Sequence, residues 1–162
     1  MMKSLFEKAL NLVNPEVTDI RRAPGGMTND SYFVTVNGKK YVVRIPGKGT
    51  ELLINRKVEK SNLVFGTKLG INPELFYFDT DSGIKITRKL ESCQSLTPDL
   101  AREGKIMKKV IELFRRLHFT EMKMENRFKL FSLMDYYEDL VQKVNPFMLE
   151  KLTPLKEQVN SL

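Results

Sequence analysis

Arg44 ends the run Lys40-Tyr41-Val42-Val43-Arg44, where a buried strand would more often carry another valine. Upstream lies Gly25-Gly26-Met27-Thr28-Asn29-Asp30-Ser31, a stretch of glycine and small polar residues, and downstream lies Glu59. A guanidinium donates hydrogen bonds in a fixed fork that fits an oxyanion. A glycine-rich turn can aim successive backbone N–H groups at the same charge. A carboxylate on a neighbouring element can hold such an arginine in place. These residue types together suit a phosphate-bearing ligand. Singly they say little: an arginine on a sheet often only solubilises it, and Gly25-Gly26 is not the full G-x-G-x-x-G. His118 and Cys93 are each alone of their kind, which leaves a zinc site short of ligands.

The elements that must position these residues can be read from period and punctuation. Residues 31–36 and 40–45 are rich in Val, Tyr, Phe and Ile, and Asn37-Gly38 joins them in the manner of a two-residue hairpin turn. Such a turn fixes the register: Val36 faces Lys39, Val34 faces Tyr41, Phe33 faces Val42, and Ser31 faces Arg44. Alternation of side chains then puts Tyr32, Val34, Val36, Tyr41, Val43 and Ile45 on one face, the expected core. The other face carries Ser31, Phe33, Val42 and Arg44, with Lys40 nearer the turn. A flat base could pack on Phe33 and Val42, with phosphates near Arg44 and the backbone N–H groups of Gly25, Gly26, Thr28 and Asn29.

Pro46-Gly47-Lys48-Gly49 breaks the chain after the hairpin. The spacing of Ile54, Val58, Phe65 and Leu69 predicts a helix over 52–69, stopped by Gly70, with Glu59 beside the Val58 stripe. Residues 2–13 read as an amphipathic helix ended by Asn14-Pro15, and residues 17–23 as a first strand. A second hairpin is expected over 74–79 and 84–88, around Asp79-Thr80-Asp81-Ser82-Gly83. From Thr97-Pro98-Asp99 onward only helices follow: a capping hydroxyl, a proline at the first position and an acid in the first turn. The stripe Ile106, Val110, Leu113, Phe114 and Leu117 continues that helix. Another runs over 128–144, and Asn145-Pro146 and Thr153-Pro154 start two shorter ones. About five strands with one inserted helix, then helices alone, argue for an α+β fold with a boundary near residue 90. Residues 1–90 would form a nucleotide-binding small lobe, and residues 91–162 a helical segment that begins an incomplete C-terminal lobe.

The chain of 162 residues carries a net charge of +7. Residues 1–90 hold 15 Lys and Arg against 9 Asp and Glu, and residues 91–162 hold 12 against 11. The excess thus shares the first half with the glycine-rich stretch, as an anionic ligand there would require. Solvated surface lysines would produce the same excess. A nucleic-acid binder is disfavoured, because the aromatics fall on core stripes and do not alternate with lysines on one face. The longest apolar run, Leu75-Phe76-Tyr77-Phe78, is far short of the roughly 20 residues a membrane span needs. A single cysteine excludes an internal disulfide and fits a cytoplasmic setting.

A strand cation paired to a helix glutamate beneath a glycine-rich turn is the nucleotide-holding arrangement of protein-kinase-like enzymes. The stretches GGMTNDSYFV, YVVRIPG, INRKVEKSNLVF, LGINPELFYFD and LFRRLHF, in this order, resemble the choline/ethanolamine kinases of the bacterial LicA type. These lie within the aminoglycoside-phosphotransferase-like superfamily. The resemblance covers most of residues 20–145. It implies a kinase-like small lobe, an ATP site with Mg2+, and a helical second lobe. It implies Gly25 to Ser31 as the phosphate loop, Arg44 as the strand cation and Glu59 as its partner. Thr87, Arg88, Lys89 and Leu90 would be the hinge whose backbone meets the adenine, and His118 would be structural.

The chain departs from that family widely: the catalytic loop, a second magnesium-binding aspartate and most of the choline pocket that the resemblance implies have no counterpart here. No aspartate here has an asparagine five residues later, so the H-x-D-x-x-x-x-N loop that orients the substrate hydroxyl and helps hold magnesium is missing. No catalytic residue is therefore assigned. The expected function is the ATP-binding portion of a kinase acting on choline or ethanolamine, inactive alone and completed by a C-terminal lobe or a second chain. A related kinase with another small-molecule substrate, or a non-catalytic nucleotide- or partner-binding module, fits the same residues.

Overall fold

The computed structural model describes residues 1–24, 26, 28–124, 126–127, 129–149 and 153–160. Five antiparallel strands form one sheet: β1 (Val17–Arg22), β2 (Asn29–Val36), β3 (Lys39–Pro46), β4 (Leu75–Phe78) and β5 (Lys85–Arg88), in the spatial order β1-β2-β3-β5-β4. The register of β2 on β3 follows from the Asn37-Gly38 turn: Val34 lies opposite Tyr41, Phe33 opposite Val42, and Ser31 opposite Arg44. Both turn residues have positive φ, 48° at Asn37 and 72° at Gly38, as a type I′ turn demands. Gly38→Ala places a Cβ in the left-handed region and should cost about 1–2 kcal/mol. A denaturant midpoint that falls without a change in slope would show it. An unchanged midpoint would mean that the hairpin does not need this turn.

Helix α1 (Met2–Leu10) covers one face of the sheet. Its Met2 and Phe6 join Val34, Val36, Tyr41, Val43 and Ile86 in the buried core. Phe6 meets Tyr41 edge to face at 5.2 Å, and Tyr41 meets Phe76 likewise at 5.2 Å. Tyr32 and Ile45 are half-buried against this cluster, so the face read as core from the sequence is the core.

After β3 the chain makes one short 3-10 turn, Thr50–Leu52, before helix α2 (Arg56–Lys68) begins. The helix expected over 52–69 is thus shorter at its start. Asn55 caps it, its side-chain oxygen accepting from the backbone N–H groups of Lys57 (3.1 Å) and Val58 (3.2 Å). That cap places Arg56 and Glu59 together in the first turn.

The single helix expected after Thr97 is two. Helix α3 (Pro98–Arg102) is capped by the Thr97 hydroxyl, and α4 (Gly104–His118) follows after Glu103 takes an extended conformation, φ −76° and ψ 112°. A glycine at the junction gives little incentive to carry one helix through it.

The chain divides into two compact units, Met1–Glu125 and Asn126–Leu162. The second holds α5 (Leu130–Val144), a 3-10 turn (Pro146–Met148) and α6 (Thr153–Asn160). Lys156 of α6 reaches Asp135 at 2.8 Å and Glu138 at 2.6 Å on α5. Hydrogen bonds to those two carboxylates hold its ammonium above the usual lysine range. No described helix is long and apolar enough to cross a membrane.

Candidate functional site: a cation cluster beside an apolar seat

The face of the sheet opposite α1 carries the residues singled out above. Strand pairing sets them in rows. Phe33, Val42 and Thr87 lie side by side across β2, β3 and β5, and Ser31, Arg44 and Lys85 form the next row. The first row is half-buried and mostly apolar; the second brings two cations together.

Glu59 reaches this second row from α2. Its Oε1 lies 2.6 Å from Arg44 Nη2, and its Oε2 lies 2.7 Å from Arg56 Nη1. The side chains of Arg44, Arg56 and Glu59 are only 14%, 8% and 16% exposed. One carboxylate therefore bridges a buried guanidinium and a largely buried one. Lys85 adds a third cation directly opposite Arg44. Burial pushes the Lys85 ammonium below the usual lysine range, and Arg44 and Arg56 push it the same way against the pull of Glu59. Arg44 also donates to the carbonyl of Gly83 at 3.2 Å, while its Nε is buried with no hydrogen-bond partner. Three positive groups share one negative group, so a second anion would be attracted rather than repelled.

The cluster is wired to the glycine-rich loop. Arg56 Nη2 donates to the Thr50 hydroxyl at 2.7 Å, and that hydroxyl donates to the carbonyl of Gly47 at 2.8 Å. The Gly47 N–H in turn donates to the carbonyl of Thr28 at 2.9 Å. Gly26, Thr28, Asn29 and Gly47, with Arg22 and Asp30, line a small cavity of about 140 Å3. Arg22 and Asp30 pair with each other there. Asn29 has a buried side-chain oxygen with no hydrogen-bond partner. Gly25, the first residue of the expected loop, lies outside the described residues.

The residues expected as a hinge split by face. Thr87 continues the apolar row. Arg88 turns to the core face, where it pairs with Glu74 and lies 5.8 Å from the Phe76 ring centroid. Its side chain thus does not join the Phe33 face. Lys89 returns to that face, its Nζ 4.8 Å from the Phe33 ring centroid. Leu90 is half exposed and its carbonyl accepts from the Cys93 thiol at 3.3 Å.

The apolar row thus has a cation cluster beside it and a glycine-rich loop nearby, and comparison with known proteins decides the family. The choline/ethanolamine kinase family model matches residues 20–161. The chain belongs to this family. It is 33% identical to Protein LicA of Haemophilus influenzae over 123 residues, which are 76% of this chain and 36% of that protein. Among solved structures, choline kinase LicA from Streptococcus pneumoniae superposes with a TM-score of 0.73 at 32% identity, over 96% of this chain and 58% of that one. LicA in complex with AMP also gives 0.73, at 30% identity, over 95% of this chain and 56% of that one. The fold is thus that of the protein-kinase-like phosphotransferases. The chain spans well under two thirds of these relatives' length.

Arg56 and Lys85 are the cluster members that sequence reading did not single out. Arg56 reads as an ordinary polar residue at a helix start. It is buried because Gly83 leaves room: a Cβ on Gly83 would come within 2.6 Å of Arg56 Nε. Lys85 sits two residues before Thr87, so alternation alone puts it on the Thr87 face; what the sequence lacked was the pairing of β5 with β3. Among the described residues no group of three or more His, Cys, Asp or Glu side chains is placed to hold a metal ion.

Proposed function

We propose that this chain is the ATP-binding portion of a cytoplasmic kinase that transfers the γ-phosphate of ATP to the hydroxyl of choline or ethanolamine. The observation that carries the reading is the cluster of Arg44, Arg56 and Lys85 around the single carboxylate of Glu59, beside the row Phe33, Val42 and Thr87. The adenine stacks on that row. Arg44 and Lys85 meet the phosphates, and Glu59 and Arg56 fix the fork of Arg44. The Thr50–Gly47–Thr28 hydrogen bonds seat the glycine-rich loop over the same phosphates. A relative of the same fold binds AMP, which supports the base and the first phosphate lying in this lobe.

Residues 1–90 are then the nucleotide lobe and residues 91–162 the first helices of the second. The groups that orient the substrate hydroxyl, hold magnesium and enclose the amino alcohol come from outside these 162 residues, through a further lobe or a second chain. Positioning and charge stabilisation are nearly all that catalyses phosphoryl transfer. The chain alone is therefore expected to bind ATP without turning it over.

Calorimetric titration of the chain with ATP, AMP and inorganic tripolyphosphate tests this, beside an assay for phosphocholine and phosphoethanolamine. ATP should bind more tightly than AMP, tripolyphosphate should compete with ATP, and neither phosphorylated product should form. A folded chain that binds none of the three is no nucleotide lobe. Turnover by the purified chain, with contaminating kinases excluded, would place catalytic groups within it.

A further inference from the structure

Lys89 lies where the outer edge of a seated base would be. Its backbone N–H donates to the carbonyl of Lys40 at 3.2 Å, which continues the pairing of β5 on β3 past Arg88. Alternation then returns its side chain to the Phe33, Val42 and Thr87 face. Along this face the cations stand at both ends. Arg44 and Lys85 lie two residues from Val42 and Thr87 on one side, and Lys40 and Lys89 lie two residues away on the other, about 7 Å each way. The two lysines differ in what holds them. Lys40 is engaged by Glu91 at 3.1 Å, whereas the Lys89 ammonium rests 4.8 Å from the Phe33 ring centroid. A nucleotide with its phosphates at Arg44 and its base on Phe33 and Val42 points the far edge of the base at Lys89.

We infer that Lys89 is a specificity-determining residue for the purine base, donating to the 6-carbonyl of guanine or hypoxanthine nucleotides so that this site accepts them beside ATP. The inference rests on the nucleotide reading above. An ammonium offers three donors and no acceptor. Adenine presents an amino donor at position 6, and guanine presents a carbonyl acceptor there. A donor set against a donor gains nothing, while an ammonium set against a carbonyl makes a charge-assisted hydrogen bond. The ammonium, which lies over the Phe33 ring, moves to the edge of a base seated there. Only this head distinguishes the two bases.

The test is titration of the full chain with ATP, GTP, ITP and inorganic tripolyphosphate, for the unaltered protein and for Lys89→Met. Methionine keeps a long unbranched side chain and removes the donors. ITP differs from GTP only in lacking the 2-amino group, so it isolates position 6. The ratio of ITP to ATP affinity should fall about tenfold in Lys89→Met, and the GTP to ATP ratio with it. Lys89→Arg, which keeps a donor, should retain most of both ratios. Ratios unchanged in Lys89→Met overturn the inference while ATP binding leaves the nucleotide site standing. Binding of tripolyphosphate with no preference among the nucleotides does the same. A folded chain that binds neither the nucleotides nor tripolyphosphate overturns the nucleotide reading, and the inference falls with it.

Discussion

Arg44→Ala should weaken ATP binding by about one to two powers of ten while leaving the chain folded, because a charge-assisted hydrogen bond is worth roughly 1.5–3 kcal/mol. The fold should tolerate the change for a reason visible in the cluster. Glu59 keeps its second partner, Arg56, at 2.7 Å, so no carboxylate is left buried and alone. Lys85 loses a neighbouring like charge, which after burial is what pushes its ammonium below the usual lysine range. What disappears is the fork itself, together with its bond to the Gly83 carbonyl. Arg44→Lys should recover only part of the affinity, since a point charge replaces a planar pair of donors. Calorimetric titration beside a melting curve separates the two effects. If Arg44→Ala lowers the melting temperature sharply yet spares affinity in the folded fraction, the arginine is structural and the phosphates lie elsewhere.

Local signals read the strands correctly and long-range ones were out of reach. Asn37-Gly38 settled the β2–β3 register, and with it the separation of the Val34/Tyr41/Val43 face from the Phe33/Val42/Arg44 face. Glu59 was within reach because its helix follows the hairpin directly, so few placements exist for the carboxylate other than near the end of β3. Arg56 was not. Its burial depends on the β4–β5 turn closing on the start of α2 at Gly83, a contact between segments that no spacing announces. Lys85 needed the β3–β5 pairing, which joins strands separated by a helix and strand β4, and the same pairing is what puts the side chain of the hinge residue Lys89 on the Phe33 face. Helix α1 shows the same limit. Its stripe of Leu5 and Ala9 was legible as amphipathic, but nothing in residues 2–13 says which side of the sheet it covers. The Phe6–Tyr41 contact answers that only once the sheet exists.

Glu59→Gln should be the more damaging change to stability, although it alters one atom and leaves every arginine in place. The carboxylate accepts from Arg44 through one oxygen and from Arg56 through the other. A glutamine can accept through its carbonyl, but its amide nitrogen is a donor and would face a guanidinium that is also a donor. Arg44, Arg56 and Lys85 would then share a part-buried space without a negative charge among them. Breaking a buried ion pair by removing one partner leaves uncompensated charge, and the loss here should be about 3 kcal/mol. For a chain of this size that corresponds to a melting temperature lower by on the order of 10 °C. The disturbance should spread along the wire from Arg56 through Thr50 and Gly47 to Thr28, loosening the glycine-rich loop as well. The same reasoning predicts a rescue. Tripolyphosphate supplies the missing negative charge to the folded state alone, and a ligand that binds only the folded state stabilises it by mass action. Added tripolyphosphate should therefore raise the melting temperature of Glu59→Gln by more than that of the unaltered chain. Melting curves of both proteins with and without the anion decide the matter. If Glu59→Gln melts within a degree or two of the unaltered chain and gains nothing extra from the anion, the cluster does not depend on its carboxylate, and the three cations are kept apart by solvent rather than held around Glu59.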